Sequence, residues 1–231
     1  DQLTDTTQTP VRQIPIGSNI AVHQTNWVEI EEVREQFGLS ADDRLLGYFG
    51  FVNESKGADT LIQALNLLGK KYHLAFIGGR TGTSDNRNNQ LFHDRLTQLI
   101  QAYHLEERVH WTGFVSDQRV SACLNAADLM VMPYKDGVSL RRGTLMAALA
   151  HGRPVISTES THPIHQLQHG ENIWLVPPDN PESLAEQMRA LSKDEPLRKK
   201  LGDGAYEAAD LFSWTQIARE TAAFFEEIAA Q

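Results

Sequence analysis

The chain is short of cysteine, of excess positive charge and of long apolar runs. Cys123 is the single cysteine among 231 residues, which excludes an internal disulfide and any cysteine-cage metal site and fits a reducing compartment. A formal net charge of −9 excludes a broad basic face able to track nucleic-acid phosphates, so no nucleic-acid partner is expected and any cation that matters acts locally. No apolar run approaches the roughly 18–20 residues of a membrane span. Several catalytic signatures are missing too: a glycine-rich run ending in GKT or GKS, the G-x-G-x-x-G pattern, H-E-x-x-H and the G-x-S-x-G nucleophile elbow. The nine histidines are scattered apart from His162, His165 and His169. With Pro163 among them, those three read as a solvated loop–helix segment, and no metal site is expected.

What is present is an alternation of short apolar runs and longer helical patterns in a chain large enough for a sizeable core. Expected strands are Leu45–Val52, Tyr72–Ile77, Val109–Thr112, Leu129–Met132, Val155–Ser157 and Ile173–Val176. Expected helices are Val28–Phe37, a segment opened by Lys56-Gly57 and running to Leu68, Gln90–His104, Ser116–Ala126, one opening at Arg141–Thr144, Pro181–Leu191, Glu195–Ala209 and Trp214–Ala230. Apolar strands separated by helices of this length imply an α/β fold, a doubly wound, Rossmann-like parallel sheet covered on both faces. Residues 1–13 read as a leader or interdomain linker and IPIGSNI (Ile14–Ile20) as a turn-rich lead-in strand. Residues 14–212 form the expected binding domain, and residues 213–231 hold a C-terminal helix whose Ile217, Ala218, Phe224, Phe225 and Ile228 offer an apolar face. That face packs either on its own sheet or on a further domain. A chain opening on Asp1 rather than Met reads as a fragment of a longer protein.

The most informative stretch is LMVMPYKDGVSLRRGTLMAALAHGRPVIS, Leu129–Ser157. A strand ends at Pro133, a polar turn carries Asp136, Gly137 and Ser139, and a helix opens with Arg141, Arg142, Gly143 and Thr144. Helix N-termini leave backbone N–H groups unpaired and carry partial positive charge, and two arginines there suit a phosphate. A nearby carboxylate is the competing partner for those arginines. Ligands on such sheets bind beyond the carboxyl ends of the strands, where three further loops lie. GFVNESKG holds Gly50, Lys56 and Gly57, with Lys56 either a phosphate partner or a solvated lysine. Gly78 to Asn89 holds Gly78 and Arg80. TGFVSD holds Phe114 and Val115, an apolar turn against which a flat base fits, and Ser116 there reads equally as an ordinary N-cap.

In order, these loops resemble the C-terminal half of a family 4 retaining GT-B glycosyltransferase, of the group 1 glycosyltransferases. The matching pieces are IPIGSN, GFVNESKGADTLIQAL, FIGG, VHWTGFVSDQRVSACLNAADLMVMP, AALAHGRPVIST and HGENIWLVPPDNPESLAEQM. The closing FSWTQIARETAAFFEEI is similar to the family's final helices, which cross back towards the other domain. The resemblance implies one half of a GT-B fold that binds a nucleotide diphosphate sugar as substrate, with no cofactor. It also implies a separate N-terminal domain for an acceptor that this chain does not identify. Lys56 stands where the family has a phosphate-binding lysine. Phe51 stands where an arginine is usual. The family's paired glutamates, E-G-F-G and E-A-M-A-C-G, fall on Ser139 and Ala147, so both carboxylates are lost. Asp136-Gly137 replaces the first acidic position only if the loop is longer, and Arg141 and Arg142 restore positive charge at the diphosphate. The DGVSLRRG loop is similar to one in a bacterial branch of the family.

The resemblance therefore implies transfer of a hexosyl-type sugar with retention of configuration. Lys56, Arg141 and Arg142 would stabilise the departing pyrophosphate, and Gly50, Gly57, Gly78, Arg80, Phe114, Val115, Asp136, Gly137, Ser139, Gly143 and Thr144 would line the donor site. The scheme needs no metal. The setting is cytoplasmic, with or without peripheral attachment to an inner membrane. Two alternatives stay open: a non-catalytic nucleotide-sugar-binding or assembly module, and a nucleotide-sugar epimerase. The base, the sugar and the acceptor are not legible.

Overall fold

A computed structural model describes residues 10–79 and 87–230. Six strands form one parallel sheet: β1 (Arg44–Phe49), β2 (Tyr72–Ile77), β3 (Val109–Trp111), β4 (Leu129–Met132), β5 (Val155–Thr158) and β6 (Trp174–Val176). Their spatial order is β3-β2-β1-β4-β5-β6, a doubly wound arrangement whose direction of winding reverses between β1 and β4. Leu46 pairs with Leu129 across that reversal and Gly47 with Met130. Both faces are covered, which explains why the strands are continuous apolar runs. On one face, Leu45, Ala75, Met130 and Met132 pack with Cys123 and Leu124 of α4 (Asp117–Ala126) and Leu145 and Leu149 of α5 (Gly143–Ala150). On the other, Leu46, Tyr48, Phe76 and Val131 meet Leu61 and Leu65 of α2 (Ala58–Asn66), Leu96 of α3 (Arg87–Ala102) and Met188 of α6 (Pro181–Lys193). Each set of strand residues alternates, as a pleat requires. The remaining helices are α1 (Trp27–Gln36), α7 (Glu195–Ala209) and α8 (Trp214–Ala229).

Three expectations from sequence are corrected. The segment Ile14–Ile20 is no strand. Its polar groups are used elsewhere: Ile16 N–H donates to the Leu140 carbonyl (3.1 Å) and the Ser18 carbonyl accepts from Trp214 Nε1 (2.8 Å). It therefore runs across the start of α5 instead of joining a sheet edge. β1 stops at Phe49, short of Val52, because Gly50 turns the chain at φ 118°. The helix expected from Lys56 to Leu68 is two pieces, a 3₁₀ turn (Glu54–Lys56) and then α2. Gly57 separates them in the left-handed region, at φ 68°.

The apolar face expected on α8 is divided. Ile217 is buried against the chain, and the Arg12 guanidinium lies 5.1 Å from the Phe224 ring centroid and pairs with Glu227 at 2.6 Å. Phe225 and Ile228 stay exposed. No described helix is long and apolar enough to cross a membrane.

One half-buried pair ties stability to pH. His73 Nδ1 and His110 Nε2 lie 3.1 Å apart, and the His110 ring stacks on Phe37 at 4.7 Å. That bond needs one ring to donate and the other to accept, so protonating the acceptor breaks it. Burial, then repulsion from His73, pushes His110 down from 6.5 to about 4. His73 is also lowered, by burial first, with Asp43 opposing and Arg108 and Arg34 adding. The folded pair thus takes up protons later than the unfolded chain. Its contribution should be intact above about pH 6.5 and lost as pH falls towards about 4. Urea unfolding across that window checks this, and His110→Phe should flatten the dependence.

Candidate functional site

The two loops that flank the reversal point meet in a cleft of about 580 Å³ at the carboxyl edge of the sheet. Gly50 follows β1, Gly78 follows β2, Phe114 and Val115 follow β3, and Arg141, Arg142, Gly143 and Thr144 open α5; all of them line it, as does Lys56. The lead-in residues Ile16, Asn19 and Ile20 supply a further wall. Sequence reasoning placed none of these three in the site, nor Phe49 or Val120, which also line it. Phe51, Gly79 and Asp117 line it too; they lie in loops expected at this edge but were not singled out as donor-site residues. Ser116 is an N-cap, accepting from Arg119 N–H at 3.3 Å, and is not part of the lining.

Three cations face this space, against the single carboxylate of Asp117. Lys56 is held by its own loop: Nζ donates to the Phe51 carbonyl at 3.0 Å. Its pKa is lowered, first by burial and then by the charge of Arg142. Like charges converging in a partly desolvated cleft are unfavourable until an anion enters between them. Arg142 already has a partial counter-ion, since its Nη2 lies 2.5 and 2.6 Å from the two oxygens of Asp136. The guanidinium also sits 4.4 Å from the Tyr134 ring centroid, and its Nε is buried with no partner among the described residues. Arg141 is exposed and makes no ion pair among the described residues.

The opposite character lies nearby. Phe114 is 75% exposed and Phe51 41%, on loops beyond the ends of β3 and β1. They meet edge to face with centroids 5.8 Å apart, and Phe114 rests against Gly79. The cleft thus combines an exposed aromatic pair with three cations, Lys56 Nζ lying 6.0 Å from the Phe51 ring centroid.

The other candidates lie outside the lining. Gly57 faces the Pro133 carbonyl, 1.9 Å from where a Cβ would stand. Asp136 and Ser139 line a neighbouring hollow of about 890 Å³, which also takes in Arg141. Gly137 packs on the Glu159 carbonyl. Arg80 lies outside the described residues. Ala147 is fully buried, and its carbonyl accepts from His151 N–H (3.1 Å) and lies 2.7 Å from His151 Nδ1. Its methyl group leaves no acceptor side chain at that turn of α5. Among the described residues no group of histidine, cysteine and acidic side chains is placed to hold a metal ion.

The family described as glycosyl transferases group 1 matches residues 29–208 of this sequence. The chain belongs to the group 1 glycosyltransferases. Within that family it is 27% identical over 201 residues to mannosylfructose-phosphate synthase of Agrobacterium fabrum, covering 84% of this chain and 42% of that protein. It is 27% identical over 202 residues to a D-inositol 3-phosphate glycosyltransferase of Streptomyces bingchenggensis, covering 84% and 43%. Among solved structures, HepE of Anabaena in complex with UDP and glucose superposes with a TM-score of 0.79 at 23% identity, over 92% of this chain and 56% of that one. Sucrose-phosphate synthase of Thermosynechococcus elongatus gives 0.78 at 25%, over 95% and 53%. The fold is thus that of one half of a GT-B glycosyltransferase. This group 1 chain spans about half the length of the relatives it matches.

The close approach at Gly57 generates a prediction. A side chain there meets both a left-handed backbone and the Pro133 carbonyl. Gly57→Ala should lower unfolding stability by at least about 1–3 kcal/mol, the usual cost of such strain. Because Gly57 joins Lys56 to α2, anion affinity measured well below the shifted melting point should fall as well.

Proposed function

We propose that this chain is the donor-binding, C-terminal half of a retaining glycosyltransferase, and that the cleft holds the nucleoside diphosphate of a nucleotide-sugar donor. One observation carries the reading. Lys56, Arg141 and Arg142 line a single cleft together with the exposed Phe51–Phe114 pair, and Lys56 Nζ stands 6.0 Å from the Phe51 ring centroid. A nucleoside diphosphate carries the complementary groups, a flat base and concentrated negative charge. Membership of the group 1 family supports the reading, as do the sucrose-phosphate synthase likeness and the UDP and glucose bound by HepE.

In the reaction proposed, the bond from the anomeric carbon to the diphosphate oxygen breaks while the acceptor hydroxyl attacks on the same face. The acceptor's proton leaves with the diphosphate. The chain contributes positive charge where negative charge grows, the form of catalysis that requires the least rearrangement during the step. Departure of a hexosyl-type sugar to an acceptor needs a second wall that excludes water, which we assign to an N-terminal domain. Phe225 and Ile228, exposed on α8, are the surface assigned to it.

A second reading has one specific observation in its favour. Asp136, which the resemblance offers as a substitute for the family's acid, is already paired with Arg142, and Ala147, on which the resemblance places the second glutamate, is buried. A non-catalytic nucleotide-sugar-binding module would bind a diphosphate and transfer nothing.

Calorimetric titration with UDP, GDP and ADP tests the binding claim. One base should be preferred, and Lys56→Ala, Arg141→Ala and Arg142→Ala should each weaken binding by about tenfold or more, as loss of a charge-assisted hydrogen bond does. Absence of binding to all three nucleotides in the intact full-length protein would sink the proposal. Binding without sugar transfer from any donor by that protein would favour the module. A bound anion favours the charged form of Lys56, whose pKa in the free site is lowered by burial and by Arg142. Affinity should therefore decline as pH rises through that lowered pKa, and Lys56→Arg should remove the decline.

A further inference from the structure

Behind the cleft lies a charged cluster that the proposed reaction does not use. Asp59, in the first turn of α2, is 4% exposed. Its Oδ2 accepts from Lys135 Nζ at 2.8 Å, and its Oδ1 is buried with no partner among the described residues. Lys135 Nζ also lies 3.7 Å from Asp179 Oδ1, which accepts from the Thr60 hydroxyl at 3.3 Å. Arg95 reaches towards Asp59 from α3, at 3.9 Å. Lys135 does not line the cleft. Replacing a buried pair like this with apolar groups is often neutral or stabilising, so stability alone is a weak reason for it.

The position of the pair supplies another reason. Lys135 directly precedes Asp136, the counter-ion of Arg142. Its main-chain N–H donates to the Ser55 carbonyl at 2.9 Å, inside the 3₁₀ turn that ends at Lys56. Its side chain meanwhile grips Asp59, three residues beyond Lys56. Gly57, between the two, packs directly on the Pro133 carbonyl. One residue therefore fastens the loop after β4 to the loop after β1 at two points on either side of Lys56. The Tyr134 carbonyl, next in the chain, accepts from the buried Thr158 hydroxyl at 2.5 Å, so the loop after β4 is anchored on β5 and has little freedom to follow a displaced α2.

We propose that Lys135, through Asp59, is a positioning residue that sets the spacing between Lys56 and Arg142 and so tunes the site for a diphosphate. The inference rests on the nucleotide reading above. Burial disfavours the charge on Lys135, but its hydrogen bond to Asp59, with Asp59, Asp179 and Glu54 as anions, outweighs this and raises its pKa. The lysine therefore remains charged across the range in which a nucleotide is used.

The test is a double-mutant cycle in the full-length protein, with Lys135→Met, Asp59→Asn and the two combined. Melting temperature is recorded alongside the affinity for the preferred nucleoside diphosphate and for its parent nucleoside. Lys135→Met alone leaves Asp59 buried and uncompensated and should melt early. The double variant removes both charges and should recover most of the melting temperature. It should still bind the diphosphate about tenfold more weakly, since a displacement of about 1 Å in a positioned group costs that much or more. Nucleoside affinity should be unchanged. Native diphosphate affinity in the double variant, or equal weakening for nucleoside and diphosphate, overturns the positioning role. Lys135→Arg keeps the charge and moves its donors: native melting with weakened diphosphate binding supports the proposal, and native binding opposes it. Failure of the unaltered protein to bind any diphosphate overturns the nucleotide reading itself, a result distinct from binding that survives the double change.

Discussion

The parallel pairing of β1 with β4, Leu46 opposite Leu129 and Gly47 opposite Met130, brings two loops from distant parts of the chain to the same edge of the sheet. Every feature of the cleft depends on that pairing. Strands that wind outward in opposite directions from a common centre send their connecting helices to opposite faces, leaving a crevice between the first pair of loops. One loop delivers Lys56 and the other Arg141 and Arg142. Close packing at Gly57 against Pro133, with the hydrogen bond from Lys135 N–H to Ser55, turns neighbouring loops into one mechanical unit.

Electrostatics gives this unit its chemical character. The chain carries a net charge of −9, yet its cleft gathers three cations against one carboxylate. Positive charge confined to a concave site with apolar walls acts strongly at short range and is felt little outside. The Asp136–Arg142 pair moderates that charge and fixes the guanidinium over Tyr134. A charged side chain held in place before its ligand arrives loses less entropy on binding. The convergence of Lys56 and Arg142 is therefore a stored cost, and an anion of the right span removes it.

Two of the positions singled out from sequence take on definite surroundings in this geometry. Phe51 joins Phe114 in an exposed aromatic pair beside Lys56. Arg141 and Arg142 enter from the loop after β4. Ala147 on α5 is given over to core packing, with its carbonyl engaged by the His151 main chain.

The α/β class, the element order and several element bounds were legible in the sequence. Tyr72–Ile77, Leu129–Met132 and Glu195–Ala209 occur as read, because strands covered on both faces must be apolar throughout and helices carry caps and turn residues at their ends. Where local pattern and long-range partner disagreed, the partner won. Ile14–Ile20 has the alternation of a strand, but its groups bond to Leu140 and Trp214, and it becomes a wall of the cleft. The identities of Lys56, Arg141 and Arg142 were in the sequence, since a cation at the start of a helix is a local pattern. That Arg142 is paired, that Arg141 is not, and that Lys135 holds Asp59 from 76 residues away were not. Local composition determines which segments form strands and helices because those bonds are made within or between short stretches. Which charges meet is decided only by tertiary structure, because distances between side chains far apart in the chain exist only once the sheet has set its strand order.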